Sequence, residues 1–384
     1  MKITKLRYGM VGGSLNAFIG SVHRHAIAIE ETAALTAGCF STLEEKNFEC
    51  GEFYNLEKGR VYKDYKEMAE KESKREDKIH FVSIVTPNAT HYEVAKTFLE
   101  HGINVVCEKP LSFTKEQAKE LEKLSKDNGL LFAVTYTYSG YGMVKQARKL
   151  IKDGYIGKVI NVNAEYLQEW LIDEIGEGDA STTKLSVWRM DPKVSGISNC
   201  VGDIGTHIEN TVAYITGLKP VRVAAVLDNY GLELDLNANM LVEFDNGAHG
   251  VFSCSQVCIG HANGLVIRIF GTEGAIEWQQ EDPNYLVVTK KGHPKQIYNR
   301  GMGYIEGRAS LLNRLPSGHP EGLMVAFANI YHAIIQAILS KENEEQITVD
   351  ELDFPIVSDG VEGVKFIHAV VESSKNNSVW TEIG

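Results

Sequence analysis

The sequence predicts an α/β protein in two parts. Residues 1–138 read as a Rossmann-type doubly wound parallel sheet, and residues 139–384 as an α+β domain built on a large, mostly antiparallel open sheet. Three observations predict this. Apolar runs alternate with helical patterns through the first third, as strand–helix–strand crossovers require. A glycine-rich turn joins the first apolar run to the first helical pattern. After about residue 140 the rhythm changes to alternating segments with hairpin signals between them, and two helical stretches close the chain. With 384 residues, the chain is long enough for two cores.

Residues 6–11 read as a strand entering the glycine turn, 22–29 lie on the helix that follows, and 35–40 form a second strand. Residues 79–85 are a third strand, stopped by Thr86-Pro87-Asn88. Thr90 and Glu93 have capping-box spacing for a helix whose apolar face is Val94, Ala95, Phe98 and Leu99, with Gly102 at its end. Residues 103–107 are the next strand, with Glu108-Lys109-Pro110 at its carboxyl end. Thr114 and Gln117 open a helix carrying Ala118, Leu121 and Leu124, which Asn128-Gly129 closes. Residues 130–135 complete this part.

In the second part, 144–152 are helical, while 159–166 and 221–226 alternate like half-buried strands. Asp245-Asn246-Gly247 between 241–244 and 250–255 is a hairpin signal. Gly271-Thr272-Glu273-Gly274 makes a second, between 266–270 and 275–278. The closing helices are expected at 323–339 and 356–372.

Asp and Glu total 51 against 39 Lys and Arg, a formal charge of −12. No Lys/Arg-dense run stands ready to neutralise phosphates, so nucleic acid is not an expected partner. A 43% hydrophobic and 9% aromatic content argues against disorder and against a membrane body. No stretch is expected to approach the ~20 apolar residues of a spanning helix. The apolar stretch after Arg7 is broken by Gly12-Gly13-Ser14 and Asn16 before a signal h-region forms, and the cytoplasm is the expected compartment. Cys39, Cys50, Cys107, Cys200, Cys254 and Cys258 lack C-x-x-C spacing. They are expected to be buried free thiols, with no metal site.

The glycine turn reads Gly9-Met10-Val11-Gly12-Gly13-Ser14-Leu15-Asn16-Ala17-Phe18-Ile19-Gly20. Glycines there let backbone N–H groups approach a pyrophosphate at the helix N-terminus. The spacing is not G-x-G-x-x-G, and a tight strand-to-helix turn wants glycine without any ligand. At the end of the second strand an acidic residue would bind the ribose 2′-hydroxyl and an Arg would suit a 2′-phosphate. Phe40-Ser41-Thr42 offers neither, and Glu44 and Glu45 come late, so NAD and NADP both stay open. Arg24 either reaches a phosphate or lies on a solvated helix face. Thr86-Pro87-Asn88 and His91 face the same crevice under the switch-point rule, and serve equally as a helix start.

Lys109 stands at the carboxyl edge of the sheet, where an ammonium could donate to a reacting hydroxyl or carbonyl oxygen; taken without context, a solvated loop lysine is the plainer alternative. Asp203 and His207 are four apart and share a face if helical. A histidine beside a carboxylate can act as general base. The plainer alternative is that Asp203 caps a helix.

In this order the motifs resemble the glucose–fructose oxidoreductase/inositol dehydrogenase (Gfo/Idh/MocA) family over nearly the whole chain. They are Val85-Thr86-Pro87-Asn88 with His91, Cys107-Glu108-Lys109-Pro110-Leu111, and Gly202-Asp203-Ile204-Gly205-Thr206-His207. Residues 11–24 and Gly318-His319-Pro320-Glu321-Gly322 look like marks of a subgroup with an extended glycine turn.

The resemblance implies hydride exchange between nicotinamide C4 and a carbon bearing a secondary alcohol. It implies Lys109, Asp203 and His207 as catalytic: His207 takes the hydroxyl proton, Lys109 polarises the same oxygen, and Asp203 orients. It places Gly12, Gly13, Ser14, Phe18, Ile19, Ser41, Thr86, Pro87, Asn88, His91, Glu108, Lys109, Trp188 and Arg189 at the cofactor, with a lean to NAD over NADP. The expected substrate is a sugar, glycoside or inositol-like cyclitol, with Tyr136, Tyr166 and His319 as contacts. The open sheet implies a homodimer or homotetramer. Two alternatives share this fold: an NAD-dependent glycosidase working through transient ring oxidation and elimination, and a non-catalytic nucleotide sensor.

Overall fold

The computed structural model describes residues 5–175, 188–345 and 353–384. In chain order its first elements are β1 (Leu6–Gly12), α1 (Phe18–Ala28), β2 (Ala33–Cys39), α2 (Glu44–Phe53), α3 (Tyr65–Ser73), β3 (Phe81–Val85), α4 (His91–Glu100), β4 (Asn104–Cys107), α5 (Lys115–Asp127) and β5 (Phe132–Val134). There follow α6 (Gly142–Lys152), β6 (Val159–Leu167), α7 (Pro192–Ser195), α8 (Thr206–Thr216), β7 (Pro220–Asp228), β8 (Asn237–Phe244) and β9 (His249–Ser255). The last are β10 (Gly264–Gly271), β11 (Gly274–Gln279), β12 (Tyr285–Lys290), β13 (Gln296–Asn299), α9 (Gly307–Leu311), α10 (Leu323–Glu342), α11 (Val357–Lys375) and β14 (Thr381–Glu382).

Unit one spans Met1–Gly140 and Leu323–Val361. Its five strands are parallel, in the order β2-β1-β3-β4-β5. Strand order reverses between β1 and β3, which opens a ligand crevice at their carboxyl ends. Every residue of β3 is buried, as a sheet covered on both faces demands. The Thr114–Gln117 capping box forms as expected. The Thr90–Glu93 spacing does not: a 3₁₀ turn, Asn88–Thr90, leads into α4. Thr90 is therefore already helical in backbone, and its hydroxyl donates back to Thr86 Oγ1 at 2.7 Å and the Pro87 carbonyl at 2.9 Å.

Two expectations are corrected by α10. This helix is long and apolar enough, by composition, to cross a membrane, although no such stretch was expected. Here it is a core helix: Phe327, Ile330, Tyr331, Ile334 and Ile338 pack into one cluster with Val22, Ile27, Phe81 and Val106. The helix α10 thus belongs with the parallel sheet, so the second domain is not the continuous stretch 139–384. The first boundary, at Gly140, lies close to the expected 138.

Unit two spans Tyr141–Gly322 and Glu362–Gly384. Its nine strands run β13-β12-β11-β10-β6-β9-β8-β7-β14. All neighbours pair antiparallel except β6 with β9. Both hairpins form where the Asn-Gly and Gly-Thr-Glu-Gly turns predict them. Along β8, Ala238, Met240, Val242 and Phe244 face inward, while Leu241 is exposed, as are Val226 and Val251 on neighbouring strands. The six cysteines are free, five of them buried and Cys258 half-buried.

Candidate active site

Unit one carries the cofactor candidates other than Trp188 and Arg189, which lie in unit two. Gly12 and Gly13 both have positive φ, +82° and +73°, a region open to glycine at no steric cost. A Cβ on Gly20 would lie 2.3 Å from Gly13 Cα, so the late glycine is the partner of the early pair. The two let α1 start against bare backbone. Ala17 at the N-cap offers no side-chain acceptor, and the first-turn N–H groups, with Ser14, Phe18 and Ile19 around them, suit a pyrophosphate. This cradle fits a dinucleotide. Arg24 is half-buried rather than on a solvated helix face. Its Nη1 donates to the Gly13 carbonyl at 2.9 Å, and its guanidinium lies 4.2 Å from the Tyr54 ring centre, so it braces the turn.

At the end of β2, Ser41 Oγ accepts from Leu43 N at 3.1 Å. Beyond β3, Thr86, Pro87 and Asn88 line the start of α4. His91 is buried, with Nδ1 2.7 Å from the Pro110 carbonyl and Nε2 2.9 Å from that of Thr86. Burial lowers its pKa, against the pull of those two carbonyls. Through them His91 ties the β3 end to the Glu108-Lys109-Pro110 corner, whose Lys109–Pro110 bond is cis.

Glu108 is buried at that corner. Its Oε1 accepts from His23 Nε2 at 2.9 Å and from the Thr135 hydroxyl. Burial would raise its pKa, but the His23 hydrogen bond and charge, then Lys109, then Thr135 outweigh it and hold the carboxyl down at about 2. Lys109 is half-buried beside it. Tyr136, just beyond β5, is 1% exposed.

Unit two carries Asp203 and His207. Asp203 lies within a π-helical turn, Val201–Gly205, that runs directly into α8, a local geometry found often at functional sites. It is not an N-cap. Its Oδ2 accepts from Gln256 Nε2 at 2.9 Å and lies 3.6 Å from Arg189 Nε. Arg189 stacks on Trp188 at 4.3 Å and faces Trp170 at 5.7 Å. His207 is buried on the first turn of α8, its ring centre 6.3 Å from that of Tyr166. Tyr166 donates its hydroxyl to Asn263 Oδ1 at 2.7 Å, and Gln168 donates to the same oxygen. His319 is exposed, and its carbonyl accepts from the buried Arg300 at 2.5 Å.

Sequence reasoning missed Asp235 and Gln256. Asp235 is buried and accepts from Asn199 N at 2.9 Å, Val201 N at 3.0 Å and Ser198 Oγ at 3.0 Å. Burial raises its pKa against those donors. It anchors the turn that presents Asp203, while Gln256 joins Asp203 to Asn199. Neither stands in a motif, and only the fold brings them to residues 198–203. Asp235→Ala leaves three buried donors without their acceptor, so urea denaturation is expected to show a loss of about 3 kcal/mol. A loss below about 0.5 kcal/mol, typical of a surface change, would contradict this anchoring role.

Comparison with known proteins agrees with this geometry. Residues 6–136 match the model of an oxidoreductase family with an NAD-binding Rossmann fold, and residues 144–277 match the GFO/IDH/MocA C-terminal domain. The uncharacterized oxidoreductase YfiI of Bacillus subtilis is 36% identical, over 98% of this chain and 96% of its own. An inositol dehydrogenase homolog from Azotobacter vinelandii, solved with NAD⁺, superposes with a TM-score of 0.94 at 34% identity, covering 99% of this chain and 97% of that one. Levoglucosan dehydrogenase, solved with NADH and levoglucosan, gives a TM-score of 0.82 at 25% identity, covering 99% of each. With a bare glycine cradle on one unit and a carboxylate–histidine pair on the other, the chain belongs to the Gfo/Idh/MocA family of NAD-binding oxidoreductases.

Proposed function

We propose that this chain is a dehydrogenase of ring polyols, oxidising a secondary hydroxyl of a cyclitol or pyranose-type sugar to the ketone. The observation that carries the reading is the placement of Asp203 and His207. A carboxylate held by Gln256 and Arg189 sits on a π-turn, with a buried histidine one turn further on. Relatives solved with myo-inositol and with levoglucosan support the substrate class.

NAD, when bound, supplies the acceptor for a hydride. The glycine turn at Gly12, Gly13 and Ser14 holds its pyrophosphate, with Phe18, Ile19, Ser41 and the Thr86-Pro87-Asn88 segment around it. His207 takes the proton of the substrate hydroxyl, as general-base catalysis requires. Lys109 donates a hydrogen bond to the same oxygen, and an ammonium there stabilises the charge that develops as the proton leaves. Asp203 orients a substrate hydroxyl, and the Gln256 hydrogen bond with the nearby Arg189 charge keeps the carboxylate from swinging. Arg189, stacked between tryptophans, stands beside it. Tyr136, Tyr166 and His319 contact the substrate ring. The outward-facing Val226, Leu241 and Val251 support a homo-oligomer built on the open sheet.

Absorbance at 340 nm tests the reading. The protein is mixed with NAD⁺ or NADP⁺ and a panel of inositols, levoglucosan, free sugars and glucosides. A rise with NAD⁺ and a few ring polyols is expected. No rise with any of them, or release of an aglycone without net NADH, would overturn it.

A further inference from the structure

Behind Asp203 in unit two, two buried amides are joined end to end. Gln256, just past β9, is fully buried, and Asn199, just before the π-turn, is 2% exposed. Asn199 Nδ2 lies 3.2 Å from the Asp235 carbonyl oxygen and 2.7 Å from Gln256 Oε1. Gln256 Nε2 in turn lies 2.9 Å from Asp203 Oδ2. The two ends of an amide are alike in shape, so its direction has to come from its partners. A backbone carbonyl can only accept. The Asn199 group facing Asp235 is therefore its NH2. The Gln256 group facing Asn199 is then its oxygen, and the one facing Asp203 is its NH2.

Reversing both amides would set oxygen against oxygen at each end, Asn199 against the Asp235 carbonyl and Gln256 against Asp203. The direction is kept even though Asn199 Oδ1 is left buried with no hydrogen-bond partner among the described residues, which is destabilising. The backbone of Gln256 is fixed as well: its N–H donates to the Leu236 carbonyl at 2.9 Å, and its carbonyl accepts from Leu171 N at 3.0 Å. The charged and titratable groups around this contact are Arg189, with Nε 3.6 Å from Asp203 Oδ2, then Cys200, Asp235 and Cys254 behind the turn, and His207 on α8.

We propose that Gln256 is a positioning residue for Asp203: its amide, turned one way by Asn199 and the Asp235 carbonyl, offers the carboxylate a donor and keeps it an ionised acceptor outside the proton transfer. A substrate hydroxyl at Asp203 is then a hydrogen-bond donor, and the proton removed in the oxidation is left to His207. The inference rests on the dehydrogenase reading for what Asp203 does in turnover, though not for how the carboxylate is held.

The holding is read by NMR on protein carrying ¹⁵N in its glutamine side chains. The Gln256 NH2 signals are identified by their loss in Gln256→Met. They are expected to shift as the pH falls and Asp203 takes up a proton, and Asp203→Asn is expected to abolish that shift. Gln256 signals indifferent to both changes would mean that the NH2 faces Asn199, and would overturn the proposal.

The role is read from kcat/KM for the fastest ring polyol between about pH 6 and pH 9. Gln256→Glu keeps the shape: as a carboxylic acid it donates to Asp203, and as a carboxylate it sets oxygen against oxygen. Burial and the adjacent carboxylate raise the pKa of the introduced group, so the donor is present at low pH and lost as the pH rises through that raised value. Relative to wild type, Gln256→Glu is expected to lose about tenfold or more across the range, whereas Gln256→Met is slower by about tenfold or more at every pH. A Gln256→Glu ratio that stays constant with pH, as a purely structural role would give, contradicts the proposal. If the wild type turns over no ring polyol, the dehydrogenase reading fails, and the NMR result still decides how Asp203 is held.

Discussion

Lys109→Ala lowers turnover by about 10²–10⁴-fold, the range for loss of a group that manages charge and protons at the reacting oxygen. The expectation follows from position and chemistry together. Lys109 ends the apolar run of β4 at the carboxyl edge of a parallel sheet, where ligands bind. Its backbone neighbours are held on both sides, Glu108 by His23 and Pro110 by His91. Alanine keeps that corner while removing the ammonium. NADH affinity, measured by fluorescence titration, is expected to change by less than about threefold, because pyrophosphate binding rests on the glycine turn. Turnover within about threefold of wild type, far short of that loss, would remove Lys109 from the mechanism.

Gly20→Ala acts on the other half of the task. Its Cβ would stand 2.3 Å from Gly13 Cα, a backbone atom that moves only if the turn opens. Overpacking of this kind costs about 1–3 kcal/mol. The strain falls on the pyrophosphate cradle, so NADH affinity is expected to drop about tenfold or more. Gly59→Ala is the control, since nothing lies within 4 Å of a Cβ there, and it should bind NADH as wild type does. Unchanged affinity in Gly20→Ala would mean that the Gly13–Gly20 contact does not shape the cofactor site.

The features legible in the sequence are local ones. The five parallel strands and β6 to β11 announce themselves by apolar runs or alternation, and the hairpins by Asn-Gly and Gly-Thr-Glu-Gly turns, whereas β12, β13 and β14 were not expected. Thr114 and Gln117 cap α5 because both partners lie within one turn of each other. The same spacing misleads at Thr90 and Glu93, where the preceding Pro87 and a 3₁₀ turn make Thr90 helical before it can cap. Adjacent Gly12 and Gly13 looked irregular only while Gly20 was counted along the chain. In space it touches them.

What was not legible depends on distant pairings. Nothing in residues 323–342 says which sheet the helix will cover, because an apolar helix suits either core. His23 and Arg24 are neighbours in sequence, yet α1 turns one toward Glu108 and Tyr331 and the other toward Gly13 and Tyr54. Asp235 reads as an isolated acid between two leucines until the fold sets it under residues 198–201.

Transfer of deuterium tests the central claim most directly. The ring polyol that gives the fastest rise at 340 nm is prepared with deuterium on its ring carbons, incubated with NAD⁺ and the enzyme, and the NADH is analysed by mass spectrometry. A hydride passed from the ring carbon to the nicotinamide predicts NADH carrying one deuterium at C4, together with a ring ketone. NADH without deuterium, or a consumed substrate with no ketone, would contradict it.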